Sequence, residues 1–272
     1  MFTRIIPSTG EALPVIGLGT WQAFDTDIKE LDAPQSAVLK TMKNAGSTLI
    51  DSSPMYGKAE EAIGKLMRGS FGDNFFYATK VWTTGREEGI LQMNASFQKM
   101  GRTVMDLMQI HNLVDWKTQL KTLREWKEQG KIRYIGITHY TDNMHGELEA
   151  IIRKEEIDFV QFNYSITARH AEKTLLPLAA DRGVATLINR PLGEGALMRK
   201  VIGKPLPIWA SEYDIPTWSA FFLKFILSHP AVTCVIPATS DPKHAAENYS
   251  AGKGNLPDAA TREAMATYIS SF

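Results

Sequence analysis

The sequence predicts an α/β fold, a (β/α)8 (TIM) barrel in one domain over residues 1–272. Three observations carry that reading. Short apolar, β-rich runs alternate from end to end with segments of helical periodicity. There are eight such runs, beginning at positions 15, 47, 75, 107, 132, 159, 184 and 232, so the successive spacings are 32, 28, 32, 25, 27, 25 and 48 residues. The runs are continuously apolar, as strands covered on both faces of a parallel sheet are. Each spacing holds a strand, a helix and two loops, which parallel neighbours require. An open doubly wound sheet is the competing arrangement. Eight nearly equal units, with no Gly-x-Gly-x-x-Gly turn after the first run, favour the closed barrel.

In order, the expected strands are 15–20, 47–52, 75–81, 107–111, 132–138, 159–164, 184–189 and 232–237. Pro34 stands near the start of the first helix, and Ala37, Val38, Leu39 and Met42 form its apolar face. Ala62, Ile63, Leu66 and Met67 do the same for the second. Leu120, Leu123, Trp126 and the stem of Lys127 share one face of the fourth, which stops at Gln129-Gly130 as a C-cap would. Trp218, Phe221, Phe222, Phe225 and Ile226 make a later helix whose aromatics read as core. The long seventh spacing leaves room for an irregular segment, 193–213, with Pro205, Pro207 and Trp209. In a barrel that segment lies on the face where strands end, the face that carries active sites.

Composition narrows the function classes. Thirty basic and 30 acidic residues cancel, and 44% of the chain is hydrophobic. With no run of five like charges, neither nucleic acid nor a polybasic membrane contact is expected, and a small-molecule substrate is. The one cysteine, Cys234, lies in an apolar run and reads as a small core residue in a reducing compartment. No stretch reaches the roughly 18 apolar residues of a membrane helix. Met1-Phe2-Thr3-Arg4 is followed quickly by Pro7 and Gly10, unlike a signal peptide. A cytoplasmic protein, monomeric or a weak homo-oligomer, is the expectation; an exported precursor trimmed at its N-terminus would leave the same sequence. The histidines near the fourth and fifth strands, His111, His139 and His145, form no His-x-His or carboxylate cluster, so no metal site is expected.

Polar residues recur at the strand ends. The second strand ends in Asp51, with Tyr56 beyond it; the third ends in Lys80, the fourth in His111, the fifth in Thr138-His139. A phenol is a poor acid near neutral pH unless its anion is stabilised. A nearby ammonium does that, and a carboxylate beyond holds the ammonium in place. Tyr56, Lys80 and Asp51 fit such a relay, with His111 orienting a substrate oxygen. The set delivers a proton to a carbonyl oxygen, and no side chain supplies the matching hydride. A nicotinamide cofactor is therefore implied.

At this point a resemblance runs through nearly the whole chain. The stretch Leu13-Pro14-Val15-Ile16-Gly17-Leu18-Gly19-Thr20-Trp21 resembles the opening strand of the aldo-keto reductase family. Asp51 through Gly57 resembles that family's Asp-x-x-x-x-Tyr-Gly motif, and Ala78-Thr79-Lys80 its lysine strand. Asp106-Leu107-Met108-Gln109-Ile110-His111 resembles its Asp-Leu-x-x-x-His strand, and Gly130 to Ile137 the start of its fifth strand. Ile236-Pro237 with Glu247-Asn248 resembles its cofactor-phosphate segment. The resemblance implies a barrel enzyme reducing an aldehyde or ketone with NADPH, with NADH as the alternative, and a catalytic tetrad of Asp51, Tyr56, Lys80 and His111.

For the cofactor the resemblance implies contacts from Gly19, Thr20 and Trp21, from Thr138, His139 and Gln161, from Asn189, Arg190, Leu192 and Gly193, and from Pro237, Thr239, Lys243, His244, Glu247 and Asn248. Four positions, in three places, depart from the family pattern. Thr138-His139 replaces Ser-Asn, Asn189 stands where a tyrosine often stacks on the nicotinamide, and His244 stands where a basic residue usually meets the 2′-phosphate. Arg190 is a candidate for the diphosphate. Ser240 or Asp241 before Pro242 reads as a helix start whose free N–H groups suit phosphate. NADPH is expected to be preferred by a narrow margin. Trp21, Trp82, Leu113 and Tyr140, with Trp209 or Tyr213 from the long segment, are expected to form an aromatic substrate mouth for apolar carbonyl compounds. A cofactor-binding sensor with little turnover, and a metal- or phosphate-dependent barrel enzyme such as a lyase, are the competing readings.

Overall fold

Alternate residues of the parallel strands face the barrel axis, and their chemistry changes along it. At the bottom Leu49, Phe76, Ala78, Leu107, Tyr134, Phe159, Ala185, Leu187 and Cys234 form one buried cluster, joined from below by Ile6 and Leu13. Phe76, Tyr134 and Phe159 pack ring on ring, with centroids 5.4 to 6.0 Å apart. Two residues further along the strands the same faces present Asp51, Lys80, Gln109 and Gln161. The apolar floor stabilises the barrel by burial, and the strand period of two aims the polar row at one point above it.

The computed structural model describes residues 1–27 and 34–272. An antiparallel hairpin, β1 (Thr3–Ile5) and β2 (Ala12–Pro14), comes first. Then follow β3 (Leu18–Gly19), β4 (Leu49–Asp51), β5 (Phe76–Val81) and β6 (Met105–His111). The last four are β7 (Ile132–Thr138), β8 (Phe159–Asn163), β9 (Ala185–Asn189) and β10 (Cys234–Val235). From β3 to β10 each strand pairs in parallel with the next. The seam between first and last is closed by parallel bridges, Ile16 to Val235 and Gly19 to Ala238. All eight expected strands are present. The outer two are shorter than their apolar runs because Pro237 has no N–H to extend the ladder.

The helices follow the expected faces. Pro34–Asn44 buries Val38, Leu39 and Met42, and Ala59–Leu66 buries Ala62, Ile63 and Leu66. Trp116–Glu128 buries Leu120, Leu123 and Trp126 and ends at Gln129, before Gly130 at φ +69°. Trp218–Leu227 buries Phe221, Phe222, Phe225 and Ile226 as core.

Two features differ from the sequence expectation. The hairpin has no periodicity long enough to read, yet it plugs the barrel bottom: Thr9 Oγ1 lies 2.7 Å from the Tyr134 hydroxyl, which donates to Glu11 Oε2 at 2.6 Å. Segment 193–213 is also more ordered than expected, containing a helix at Ala196–Lys200 and a 3-10 turn at Ile208–Tyr213. Among the described residues no helix is long and apolar enough to cross a membrane.

Candidate active site

The polar row at the strand ends is one connected set. Lys80 Nζ lies 2.6 Å from Asp51 Oδ2 and donates to the Ser52 carbonyl at 2.7 Å. Asp51 Oδ1 accepts from Gln109 Nε2 at 2.7 Å and from Gln161 Nε2 at 3.0 Å. Gln161 also donates to Gln109 Oε1 at 2.9 Å, and Asn189 Nδ2 donates to Gln161 Oε1 at 3.3 Å. The ion pair is removed from water, with Lys80 0% and Asp51 2% exposed. Burial pulls the lysine down; Asp51 first and Tyr56 second together outweigh it and push the Lys80 ammonium above its ordinary value.

Tyr56 and His111 sit over this set. Lys80 Nζ is 4.9 Å from the Tyr56 ring centroid, and the rings of Tyr56 and His111 meet edge to face at 5.7 Å. Burial raises the Tyr56 phenol above its ordinary value, and the Lys80 charge pulls against that rise. Asp51 pushes the phenol upward as well. Of the two charged neighbours only Lys80 favours the phenolate, and burial outweighs it, so the free phenol is a weaker acid than an exposed tyrosine. His111 is pushed down to about 2 by burial, by Lys80 and by His139, so its ring is neutral at any working pH. Behind the lysine strand, Thr79 Oγ1 donates to the buried Glu60 at 2.5 Å.

A cavity of about 930 Å³ opens above these groups. Tyr56, His111, Asp51, Thr138 and Gln161 line its inner end, and Gly19, Thr20 and Trp21 its wall. Asn189, Arg190, Leu192, Pro237, Thr239, His244, Glu247 and Asn248 line the rest of it. Tyr140 stands at the mouth. Lys80 is sealed beneath Tyr56.

Several expected residues do not line it. The His139 ring stacks flat on Tyr140, with centroids 5.2 Å apart, and its Nδ1 lies 3.1 Å from Thr141 Oγ1. Gly193 instead shapes the turn after β9, at φ +56°, and Lys243 points to solvent. Trp82 is exposed, with its backbone tied to Gln92, and Leu113 is buried in the core. Trp209 packs on Phe221 and Tyr268, and the Tyr213 hydroxyl meets Thr261 Oγ1 at 2.7 Å. Both serve the C-terminal helices, whose apolar flanks need cover. Other lining residues lay outside the expectation: Met55 lies inside the Asp51–Gly57 motif, Gln22 and Asn112 directly follow motif residues, and Met198 and Ser219 come from helices and carry no sequence signal.

Two charged positions also behave differently. The Arg190 guanidinium pairs with Glu194 at 2.6 Å, donates to the Tyr140 carbonyl at 3.2 Å and lies over the Tyr140 ring. It straps two loops together where the sequence offered it to a diphosphate. At the helix Pro242–Ser250, Asp241 Oδ1 accepts the Lys243 N–H at 2.7 Å, so a carboxylate already occupies part of the expected phosphate site. His244, 66% exposed, faces Asp241 at 4.0 Å.

The donor set fits a nicotinamide dinucleotide. Amides and a hydroxyl (Gln161, Asn189, Thr138) stand at one end, and Asn189 Oδ1 lacks a protein partner, as suits an amide N–H. Apolar Leu192, Ile236 and Pro237 line the stretch between. Ser240, Glu247 and Asn248, with Asn248 fixed by Ser219, stand at the other end, where phosphate and base would lie.

The model of the Aldo/keto reductase family matches residues 15–267. The NADH-specific methylglyoxal reductase of Escherichia coli is 24% identical, over 93% of this chain and 94% of its own length. The aldo-keto reductase YhdN of Bacillus subtilis is 28% identical over 72% of this chain, and the match spans 63% of that relative. An aldo-keto reductase from Klebsiella pneumoniae, solved in complex with NADPH, superposes with a TM-score of 0.83. It covers 99% of this chain and 95% of its own at 22% identity.

Proposed function

The chain belongs to the aldo/keto reductase family, is thereby an NAD(P)H-dependent oxidoreductase acting on carbonyl groups, and we propose that Tyr56 is its general acid. The observation that carries the proposal is the buried Lys80–Asp51 pair at 2.6 Å beneath the Tyr56 ring, at the floor of the cavity. A raised phenol stays protonated and has a proton to give. When it gives that proton to a carbonyl oxygen, the Lys80 ammonium stabilises the phenolate left behind. Asp51, held by two glutamine amides, keeps Lys80 charged and in register. His111, neutral, hydrogen-bonds the substrate oxygen. A reduced nicotinamide, when bound, supplies the hydride.

Thr138, Gln161 and Asn189 would hold the carboxamide; Ser240 and the helix beyond it the phosphates; Glu247 and Asn248 the base. NADPH is the proposed cofactor, by a narrow margin over NADH. Asp241 repels a 2′-phosphate and His244 is a weak counter-charge, and the Escherichia coli relative is named for NADH. Isothermal titration finding NADH bound as tightly as NADPH would refute the preference. Trp21, Met55 and Tyr140 give an apolar mouth suited to uncharged carbonyl compounds. Because that relative is named for methylglyoxal, small 2-oxoaldehydes belong in the first assay.

The test of the acid is Tyr56→Phe. Turnover is expected to fall by at least about a hundredfold, with cofactor affinity unchanged by fluorescence titration. Retained turnover removes Tyr56 from the role. A barrel that binds cofactor without turning over any of a broad carbonyl panel would instead be a sensor.

A further inference from the structure

Ser53 is fully buried in the turn between Asp51 and Tyr56. Its Oγ lies 2.9 Å from His111 Nδ1 and accepts the Met55 backbone N–H at 3.3 Å. Two proton arrangements are open to this pair. If Nδ1 carried the ring proton, the Ser53 oxygen would receive two N–H groups and its own buried O–H would have no acceptor, which is costly. If the hydroxyl donates to a bare Nδ1, the hydroxyl, the ring nitrogen and the Met55 N–H are all satisfied.

We propose that Ser53 is a positioning residue that donates to His111 Nδ1, fixes the ring's orientation and places its one proton on Nε2, the nitrogen left for the cavity. This rests on the carbonyl-reducing role of the site. An Nε2–H offers a hydrogen bond to a carbonyl oxygen; a bare Nε2 would turn a lone pair toward it and repel it. Because burial and the Lys80 charge keep this ring neutral, the choice lies between two neutral tautomers, and a single hydrogen bond decides it.

The experiment is a long-range 1H–15N correlation spectrum of protein carrying 15N-labelled histidine. His111 is picked out of the six histidines by its loss in His111→Asn. The wild type is expected to show a protonated Nε2 and a bare, hydrogen-bonded Nδ1. In Ser53→Ala the Nδ1 resonance is expected to move to that of a free acceptor. Its kcat is expected to fall about ten-fold, with cofactor affinity unchanged, and Ser53→Thr is expected to restore both. A wild-type ring protonated on Nδ1 overturns the proposal. So does Ser53→Ala with an unmoved resonance and full kcat, or Ser53→Thr no better than alanine. The wild-type spectrum needs neither a folded variant nor turnover, so it stands apart from the Tyr56→Phe test of the reaction itself.

Discussion

Asp51→Asn keeps the shape of the side chain and removes only its charge, which isolates what the carboxylate does for the buried lysine. Lys80 is 0% exposed and lies 2.6 Å from Asp51. Breaking a buried pair by neutralising one partner typically costs about 3–5 kcal/mol, because the other charge is stranded. Here the loss has a ceiling. Lys80 can escape by releasing its proton, which for a lysine of ordinary pKa at pH 7 costs about 4.6 kcal/mol, from about 3.4 pH units at about 1.36 kcal/mol each. A loss of about 3–4.6 kcal/mol is therefore expected at neutral pH.

The pH dependence reverses sign between the two proteins. In the wild type Lys80 is raised above 10.5, so its contribution is complete below that value and is lost as pH climbs through the folded pKa. In Asp51→Asn the folded pKa falls below 10.5, the unfolded chain binds the extra proton, and stability rises with pH up to about 10.5. Urea denaturation followed by tryptophan fluorescence at several pH values from 7 to 10 measures both quantities. An unchanged midpoint, or a variant curve running parallel to the wild type over that range, would mean that Lys80 is not held charged by Asp51.

Two further expectations bear on the ends of the cavity. His244→Arg puts a permanent charge beside Asp241, and NADPH affinity is expected to rise about five-fold with NADH affinity unchanged, read by isothermal titration. Gly136→Ala sets a Cβ 2.8 Å from Gln109 Cγ and 3.2 Å from Leu107. It is expected to cost about 1–3 kcal/mol in urea denaturation and to lower kcat, as Gln109 is pushed off Asp51; full stability and kcat would show that Gln109 gives way freely.

The barrel was legible because its signal is periodic. Eight apolar runs at near-regular spacing report a parallel sheet directly, and the helical faces 34–44 and 116–128 report themselves by their stripes. The hairpin at Thr3–Pro14 has strands of three residues, below the length at which any period can be read. Gln109 is readable by parity: Leu107, Gln109 and His111 share one face of β6, so the glutamine lies between the apolar floor and the imidazole. Met198 and Ser219 reach the cavity from helices, at positions that only the tertiary packing selects.

The two ends of the cavity differ in legibility for a physical reason. Asp51, Lys80 and His111 are delivered by strands, where each side chain's direction follows from its parity, and Tyr56 follows through a turn stiffened by Pro54. The cofactor end is built on loops and a helix start, where a charge is free to choose among neighbours. Arg190 turns to Glu194, Asp241 caps its own helix, and the His139 ring lies down on Tyr140. Each choice removes a contact that residue type alone would have offered to a dinucleotide, and none disturbs the network around Asp51. Divergence in such a chain is therefore felt first in how tightly, and with which nicotinamide, the cavity is filled. The proposed proton transfer rests on Tyr56, set by a short turn, over Asp51, Lys80 and His111, whose directions the sheet enforces.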